Sequence, residues 1–106
     1  MLFLPPVRLT NLGPRDGLVT GEAGSFLWEA RLARRPVSYG LDSITLYKGS
    51  GRIVQLALYE KMRADPADGG IYHVTHRKVA AYNAGWLYGR KRHLAIIRRI
   101  VNFLER

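Results

Sequence analysis

This chain of 106 residues contains no cysteine, and that absence removes several kinds of chemistry at once. Without thiols the chain can form no disulfide framework, no thiolate zinc site and no cysteine nucleophile. Its apolar opening, Met1–Leu4, has no basic residue within it and stops at Pro5 and Pro6. That stretch is too short for a signal peptide or a membrane span. The sequence therefore predicts a cytoplasmic protein with no membrane partner.

Acidic residues are also scarce, and they are scarcest in the C-terminal third. The chain has 17 Lys and Arg against 8 Asp and Glu, which gives a formal charge of +9. From Ile71 to Arg106 there are eight basic residues and one acid, Glu105. Clustered Lys and Arg displace condensed counterions from phosphates, so a local excess of them points to a polyanionic partner. The simplest such partner is nucleic acid.

Length and composition predict one basic α+β domain over residues 1–106. A hydrophobic fraction of 47% is ordinary for a folded protein, and the length leaves no room for two independent cores. Residues 1–24 are rich in Pro and Gly, which predicts an arm with at most one short strand near Leu18–Thr20. Residues 25–34 alternate apolar with polar side chains but also include good helix formers. We favour a strand there and keep the helix as the alternative.

A hairpin is the clearest local signal in the middle of the chain. Two runs rich in β-branched and aromatic residues, 43–48 and 52–60, flank Gly49-Ser50-Gly51. A glycine-rich connection supplies positive φ at little steric cost, so this pattern is typical of paired strands. Residues 65–70 (Asp-Pro-Ala-Asp-Gly-Gly) predict a second turn, and 71–74 a short returning strand.

From Thr75 onward the apolar spacing becomes helical. The residues that share one stripe of a helical wheel are Val79, Asn83, Trp86, Leu94, Ile97, Val101 and Leu104. Gly85 and Gly89 weaken a continuous helix, so we predict a break near Gly89 between helices 76–88 and 90–105. The expected fold is α+β: an antiparallel β-meander of three to five strands packed against a C-terminal amphipathic helix or helix pair.

Candidate binding residues follow from charge and from aromatic content. On the helical segment we assign nucleic-acid contacts to Arg77, Lys78, Tyr88, Arg90, Lys91, Arg92, Arg98 and Arg99. On the hairpin we assign them to Tyr47, Tyr59 and Lys61, which the expected pairing places on one sheet face with Thr45 and Gln55. Cations grip a phosphate backbone, while aromatic rings stack on the exposed bases of single strands. A duplex hides those base faces, so the combination favours a single strand.

These features predict a non-catalytic protein that binds single-stranded DNA or RNA. We expect a homodimer, since a small domain with one apolar helix stripe often needs a second copy to complete its core. No cofactor is expected. His73 and His76 are three residues apart but have no third ligand of a suitable type nearby, so no metal is expected either.

Two other functions remain open from the sequence. One is a small metal-independent ribonuclease of the toxin kind, using His73, His76, Arg77 and Lys78 for proton transfer and phosphate binding. The other is a protein-interaction or ribosome-associated module whose basic helix meets RNA only within an assembly. The choice between DNA and RNA is also open.

Overall fold

A computed structural model describes residues 6–10, 17–64 and 73–105, and within them six strands form one antiparallel sheet that carries a single helix. The elements are β1 (Val7–Leu9), β2 (Leu18–Ala23), β3 (Phe26–Val37), β4 (Gly51–Ala64), β5 (His73–Asn83), β6 (Trp86–Tyr88) and α1 (Leu94–Leu104). Each strand pairs with the next in the chain, so the sheet is a meander. The predicted α+β meander with a C-terminal amphipathic helix is confirmed. The described sheet exceeds the predicted three to five strands, and it carries one helix rather than a pair.

The central strands β3 and β4 present their apolar residues to one side of the sheet. Trp28 pairs with Leu58, and Ala30 with Leu56, and all four side chains are buried. Side chains alternate between faces along a strand, so the residues between them, such as Glu29, point to the opposite face. This alternation confirms the strand that we favoured over a helix for residues 25–34, and the strand begins at Phe26.

Helix α1 covers the apolar side of the sheet. Its buried residues are Ile96, Ile97, Ile100 and Val101. The ring of Phe103 meets Trp28 edge to face, with 6.2 Å between ring centroids. Burying an aliphatic side chain contributes about 1.5–3 kcal/mol, so the docking of α1 is a main source of stability.

The chain enters α1 through a turn, so the helix starts later than the predicted 90–105. Gly89 has a positive φ of 85°, and a Cβ at this position would collide with the backbone oxygen of Val79. The turn continues to His93, and α1 begins at Leu94. Gly89 is therefore a break, as predicted, but it separates a strand from a helix.

The first predicted helix, 76–88, is wrong, because this segment forms β5 and β6. In β5, Ala80 and Tyr82 are buried opposite residues of β4. Ala84 and Gly85 both have positive φ, 55° and 151°, and they turn the chain back into β6. Two such residues between apolar runs favour a hairpin over a helix. The helical spacing of Val79, Asn83 and Trp86 was coincidental.

Residues 43–48 do not form the first strand of the predicted hairpin. The carboxylate of Asp42 accepts backbone N–H bonds from Ile44 (2.8 Å) and Thr45 (3.0 Å), and such local bonds compete with strand pairing. Leu46 then adopts a positive φ of 58° and buries its side chain completely. The second predicted strand, 52–60, is present within β4, but β3 and β5 are its partners.

The N-terminal segment contributes more to the sheet than an arm would. Val7–Leu9 and Leu18–Ala23 are both strands, where at most one short strand was predicted. Val7 packs against the core, and Arg8 forms an ion pair with Glu22 on the neighbouring strand. The predicted turn at 65–70 and the first two residues of the predicted strand 71–74 lie outside the described residues.

Candidate nucleic-acid interface

The outer side of β5 forms an edge of the sheet that carries basic side chains. Among the described residues, β6 pairs with β5 only at Ala81 and Tyr82. The preceding segment 75–78 therefore lies at the edge, and its four side chains are all exposed. Two of them, Arg77 and Lys78, were predicted to contact nucleic acid. Positive charge at a sheet edge also discourages pairing with other chains, so position alone does not assign a binding role.

A cleft of about 320 Å³ joins this edge to the turn before α1. We call it the basic cleft, and its polar and aromatic lining consists of Glu60, Arg77, Lys78, Tyr88, Arg92 and His93. It brings together four of the predicted binding residues from three parts of the chain: the edge of β5, the end of β6 and the turn. Three cations face one carboxylate there, which gives the cleft a net positive charge.

The one carboxylate of the basic cleft only partly offsets its cations. Glu60 lies opposite Arg77 in the pairing of β4 with β5, and their oxygen and nitrogen are 3.5 Å apart. Both side chains are substantially exposed. Exposed ion pairs contribute little free energy, so Arg77 can exchange this partner for a phosphate at small cost.

His93 lies where the basic cleft meets the core. Its ring packs edge to face against Phe26, with centroids 5.7 Å apart. Burial lowers the pKa of His93 below its ordinary value, and the neighbouring charges of Arg92 and Arg77 act in the same direction against Glu60. The imidazole is therefore neutral near pH 7 and able to accept a proton.

Two of the predicted tyrosines lie on or beside the basic cleft. Tyr88 is 48% exposed and lines it directly. Tyr59 lies opposite Lys78 on β5, whose ammonium nitrogen is 5.6 Å from the centroid of the tyrosine ring. The Tyr59 hydroxyl donates a 2.9 Å hydrogen bond to Glu29, and burial, together with that carboxylate, raises the pKa of Tyr59. Two residues further along β4, Lys61 is exposed.

The remaining predicted residues lie elsewhere. Tyr47 belongs to the loop before β4, so the expected face that it shares with Tyr59 and Lys61 does not exist. The guanidinium carbon of Arg90 is 3.6 Å from the centroid of the Tyr47 ring, so these two side chains contact each other. Arg98 and Arg99 are exposed on α1.

Sequence reasoning missed Glu60 and His93 as members of this surface. Glu60 is the last residue of the predicted strand 52–60, and His93 falls within the predicted helix 90–105 with no role assigned to it. Both enter the cleft through the pairing of β4 with β5 and through the turn at Gly89, which the predicted helix 76–88 concealed. A hairpin signal at Ala84-Gly85 was the one local feature able to reveal this arrangement.

In the part of the chain that the structure describes, no group of three or more metal-ligating His, Asp or Glu side chains lies together. Among the described residues, no helix is both long enough and apolar enough to cross a membrane. No protein-family model, no curated protein and no solved structure matches this chain.

Proposed function

We propose that this protein binds single-stranded nucleic acid, DNA or RNA, without catalysis, and that the basic cleft and the adjoining edge of β5 hold the strand. The observation that carries the proposal is that Arg77, Lys78 and Arg92 line one cleft together with the exposed ring of Tyr88. These residues are separated in sequence, and the fold gathers them on one surface.

The chemistry of the basic cleft matches the two components of an unpaired strand. Arg and Lys neutralise phosphates and release counterions, which gives affinity without regard to sequence. An exposed aromatic ring next to those cations offers a stacking surface for a base, worth about 1–3 kcal/mol. A duplex keeps its base faces inside, so Tyr88 contributes only where the strand is unpaired.

We further propose a homodimer as the binding species. Two copies double the cationic surface, and one strand that contacts both gains affinity through effective concentration. Sedimentation equilibrium of the free protein measures the oligomeric state directly, and a monomer at all concentrations would rule out the dimer while leaving the cleft in place.

Fluorescence anisotropy with labelled single-stranded DNA, duplex DNA and single-stranded RNA, each titrated across a salt series, tests the proposed function. We expect binding that weakens between 50 and 200 mM salt by roughly 20-fold for the three cations of one cleft, and by roughly 300-fold where a dimer contacts the strand with two clefts, because each neutralised phosphate of a single strand adds about 0.7 to the slope of log K against log salt. We also expect a preference for single strands of about tenfold, near the lower end of what one stacked base supplies. Absence of binding to all three at low salt would reject the proposal.

Ribonuclease activity is a second candidate, and one observation favours it. The basic cleft holds a carboxylate, Glu60, and an imidazole with a lowered pKa, His93, beside two arginines. Metal-free RNA cleavage needs a base that takes the proton of a ribose 2′-hydroxyl while that oxygen attacks phosphorus. It also needs an acid that protonates the leaving 5′-oxygen, and cations that hold the phosphate. This set differs from the one expected from sequence, which centred on His73 and His76.

Incubation of purified protein with single-stranded RNA in EDTA separates the two candidates. The binding proposal expects intact RNA. Cleavage that disappears in both His93→Ala and Glu60→Gln, with RNA binding retained, would establish the enzyme instead. Cleavage that survives both changes would indicate a contaminating nuclease.

A further inference from the structure

The face of the sheet opposite α1 carries a groove that the basic cleft does not account for. Its volume is about 400 Å³, within the range of roughly 300–1,000 Å³ that small-molecule sites occupy. Ala57 and Ala81, which lie opposite each other on β4 and β5, form its floor. Two small side chains in register leave a flat apolar strip between taller neighbours. We call this the alanine groove.

A row of polar side chains forms one wall of the alanine groove. The Arg31 side chain donates from Nε to the Gln55 side-chain oxygen at 3.4 Å. The Gln55 amide nitrogen donates in turn to the Asn83 side-chain oxygen at 3.5 Å. These bonds are long and lie at the surface, so they exchange readily for bonds to a ligand. Amides offer both donors and acceptors, which is what the edge of a nucleobase requires.

The opposite wall is also polar, and one of its residues is shared with the basic cleft. The Glu29 carboxylate accepts a hydrogen bond from the Tyr59 hydroxyl there, and the Lys78 ammonium group lies over the Tyr59 ring. Lys78 lines both the alanine groove and the basic cleft. Leu87, which is 65% exposed, adds an apolar side chain to the groove. A ligand in the groove therefore lies next to a site for phosphate.

We propose that the alanine groove receives one unpaired nucleobase of the strand whose phosphates lie in the basic cleft. A base has a flat apolar face, which fits the floor of Ala57 and Ala81, and a polar edge, which fits the amides of Gln55 and Asn83. Lys78 lines both sites, so a base in the alanine groove lies close to its own phosphate in the basic cleft. The inference rests on the proposed function and adds to it a place where the strand is read.

Filling the groove tests this inference. Ala57→Leu places a larger side chain on the floor, and Ala95→Leu makes the same change at an exposed position of α1 as the control. Each protein is titrated with a single-stranded oligonucleotide and with an abasic strand of equal length. We expect Ala57→Leu to reduce the ratio of the two affinities by roughly tenfold, the contribution of one base. Binding of the abasic strand and its salt dependence stay unchanged, and Ala95→Leu changes neither.

A second variant guards against a folding defect in the first. Asn83→Ala removes the exposed amide of the polar wall without adding volume. We expect it to change the order of affinities among the four homopolymeric single strands, because hydrogen bonds at a base edge distinguish bases. Competition with a free nucleoside monophosphate shows whether the groove accepts a base outside a strand.

The outcomes separate this inference from the proposed function. A wild-type protein that binds neither oligonucleotide rejects the proposed function itself. A wild-type protein that binds, with an affinity ratio that Ala57→Leu and Asn83→Ala both leave intact, rejects the alanine groove while the basic cleft stands. Displacement of the strand by a nucleoside monophosphate, lost in Ala57→Leu, would identify a free nucleotide as the occupant instead.

Discussion

The guanidinium group of Arg90 lies over the ring of Tyr47, with its carbon 3.6 Å from the ring centroid. The same group donates to the backbone oxygens of Leu46 (2.8 Å) and Thr45 (2.9 Å). Trp86 also donates to the Leu46 oxygen, at 2.7 Å. Arg90 therefore ties the loop before β4 to the turn that leads into α1, and it uses the charge and the ring that sequence reasoning had assigned to nucleic acid.

This relationship predicts that Arg90→Ala acts on stability and not on binding. The change removes hydrogen bonds from a charged donor and a cation–π contact, and we expect a loss of about 2 kcal/mol in the free energy of unfolding. Urea denaturation measures this loss. The neighbouring exposed Lys91→Ala is the control, expected to stay within about 0.5 kcal/mol of wild type. If Arg90→Ala left the free energy of unfolding unchanged and reduced the salt dependence of binding, Arg90 would be a nucleic-acid contact and not a structural residue.

Tyr88 and Tyr47 are also expected to differ, with the first contributing to binding and the second to the fold. We expect Tyr88→Ala to reduce the preference for single strands by at least roughly tenfold, about 1.4 kcal/mol, because its ring is exposed in the basic cleft. Tyr47→Ala should leave that preference intact, since Tyr47 lies outside the basic cleft and Arg90 occupies one face of its ring. Anisotropy titrations with single-stranded and duplex DNA provide the comparison. If Tyr88→Ala and Tyr47→Ala reduced the preference for single strands equally, the location of Tyr88 in the basic cleft would not explain the stacking.

The parts of this fold that were predictable from sequence are those whose pattern is complete within one segment. The β-branched and aromatic residues of 52–60 identified most of β4, and the apolar stripe over the last residues identified α1. The class of fold followed from these two, because a meander and one amphipathic helix bury each other's apolar faces.

The parts that failed depend on contacts between distant residues. Val79, Asn83 and Trp86 have helical spacing, but pairing of β5 with β4 and the positive φ at Ala84-Gly85 override it. The loop at Asp42 fails as a strand because its carboxylate binds nearby N–H groups. The positive charge of the basic cleft was predictable from sequence, but the full set of residues that line it was not. Glu60 and His93 join the cleft only because β4 pairs with β5 and because the chain turns at Gly89.

Gly89 is predicted to be irreplaceable at the junction of β6 and α1. A Cβ there would meet the backbone of Val79 and Ala80 in addition to the cost of a positive φ. We expect Gly89→Ala to lower the free energy of unfolding by at least about 2 kcal/mol. Gly85→Ala is the matched control, with positive φ but no atom within 4 Å of the added Cβ, and its loss should be smaller. If urea denaturation showed the same loss of unfolding free energy in both variants, the backbone around Gly89 would have moved to relieve the collision with the added Cβ.

Stability is predicted to decline in mildly acidic solution through His93. Because the folded pKa lies below the ordinary value of 6.5, the unfolded chain binds the proton more readily between the two values. The contribution of neutral His93 to the free energy of unfolding is therefore fully present above about pH 6.5, and it falls as the pH decreases toward the folded pKa. His93→Gln removes this titration, so the difference in unfolding free energy between about pH 7.5 and pH 5 should shrink. A difference as large as that of wild type would assign the decline to other groups.

The salt dependence of binding in a charge-matched pair of variants tests the central claim most directly. Arg77→Ala with Arg92→Ala removes two charges from the basic cleft. Arg34→Ala with Arg35→Ala removes two exposed charges from the far end of β3, roughly 26 Å along the strand from Phe26, which pairs with Glu60. We expect the first pair to reduce the slope of log K against log salt for a single strand by roughly 1.4, the value for two phosphate contacts, and the second pair to leave it unchanged. Equal reductions in both variants would mean that net charge alone attracts the strand and that the cleft is not the site.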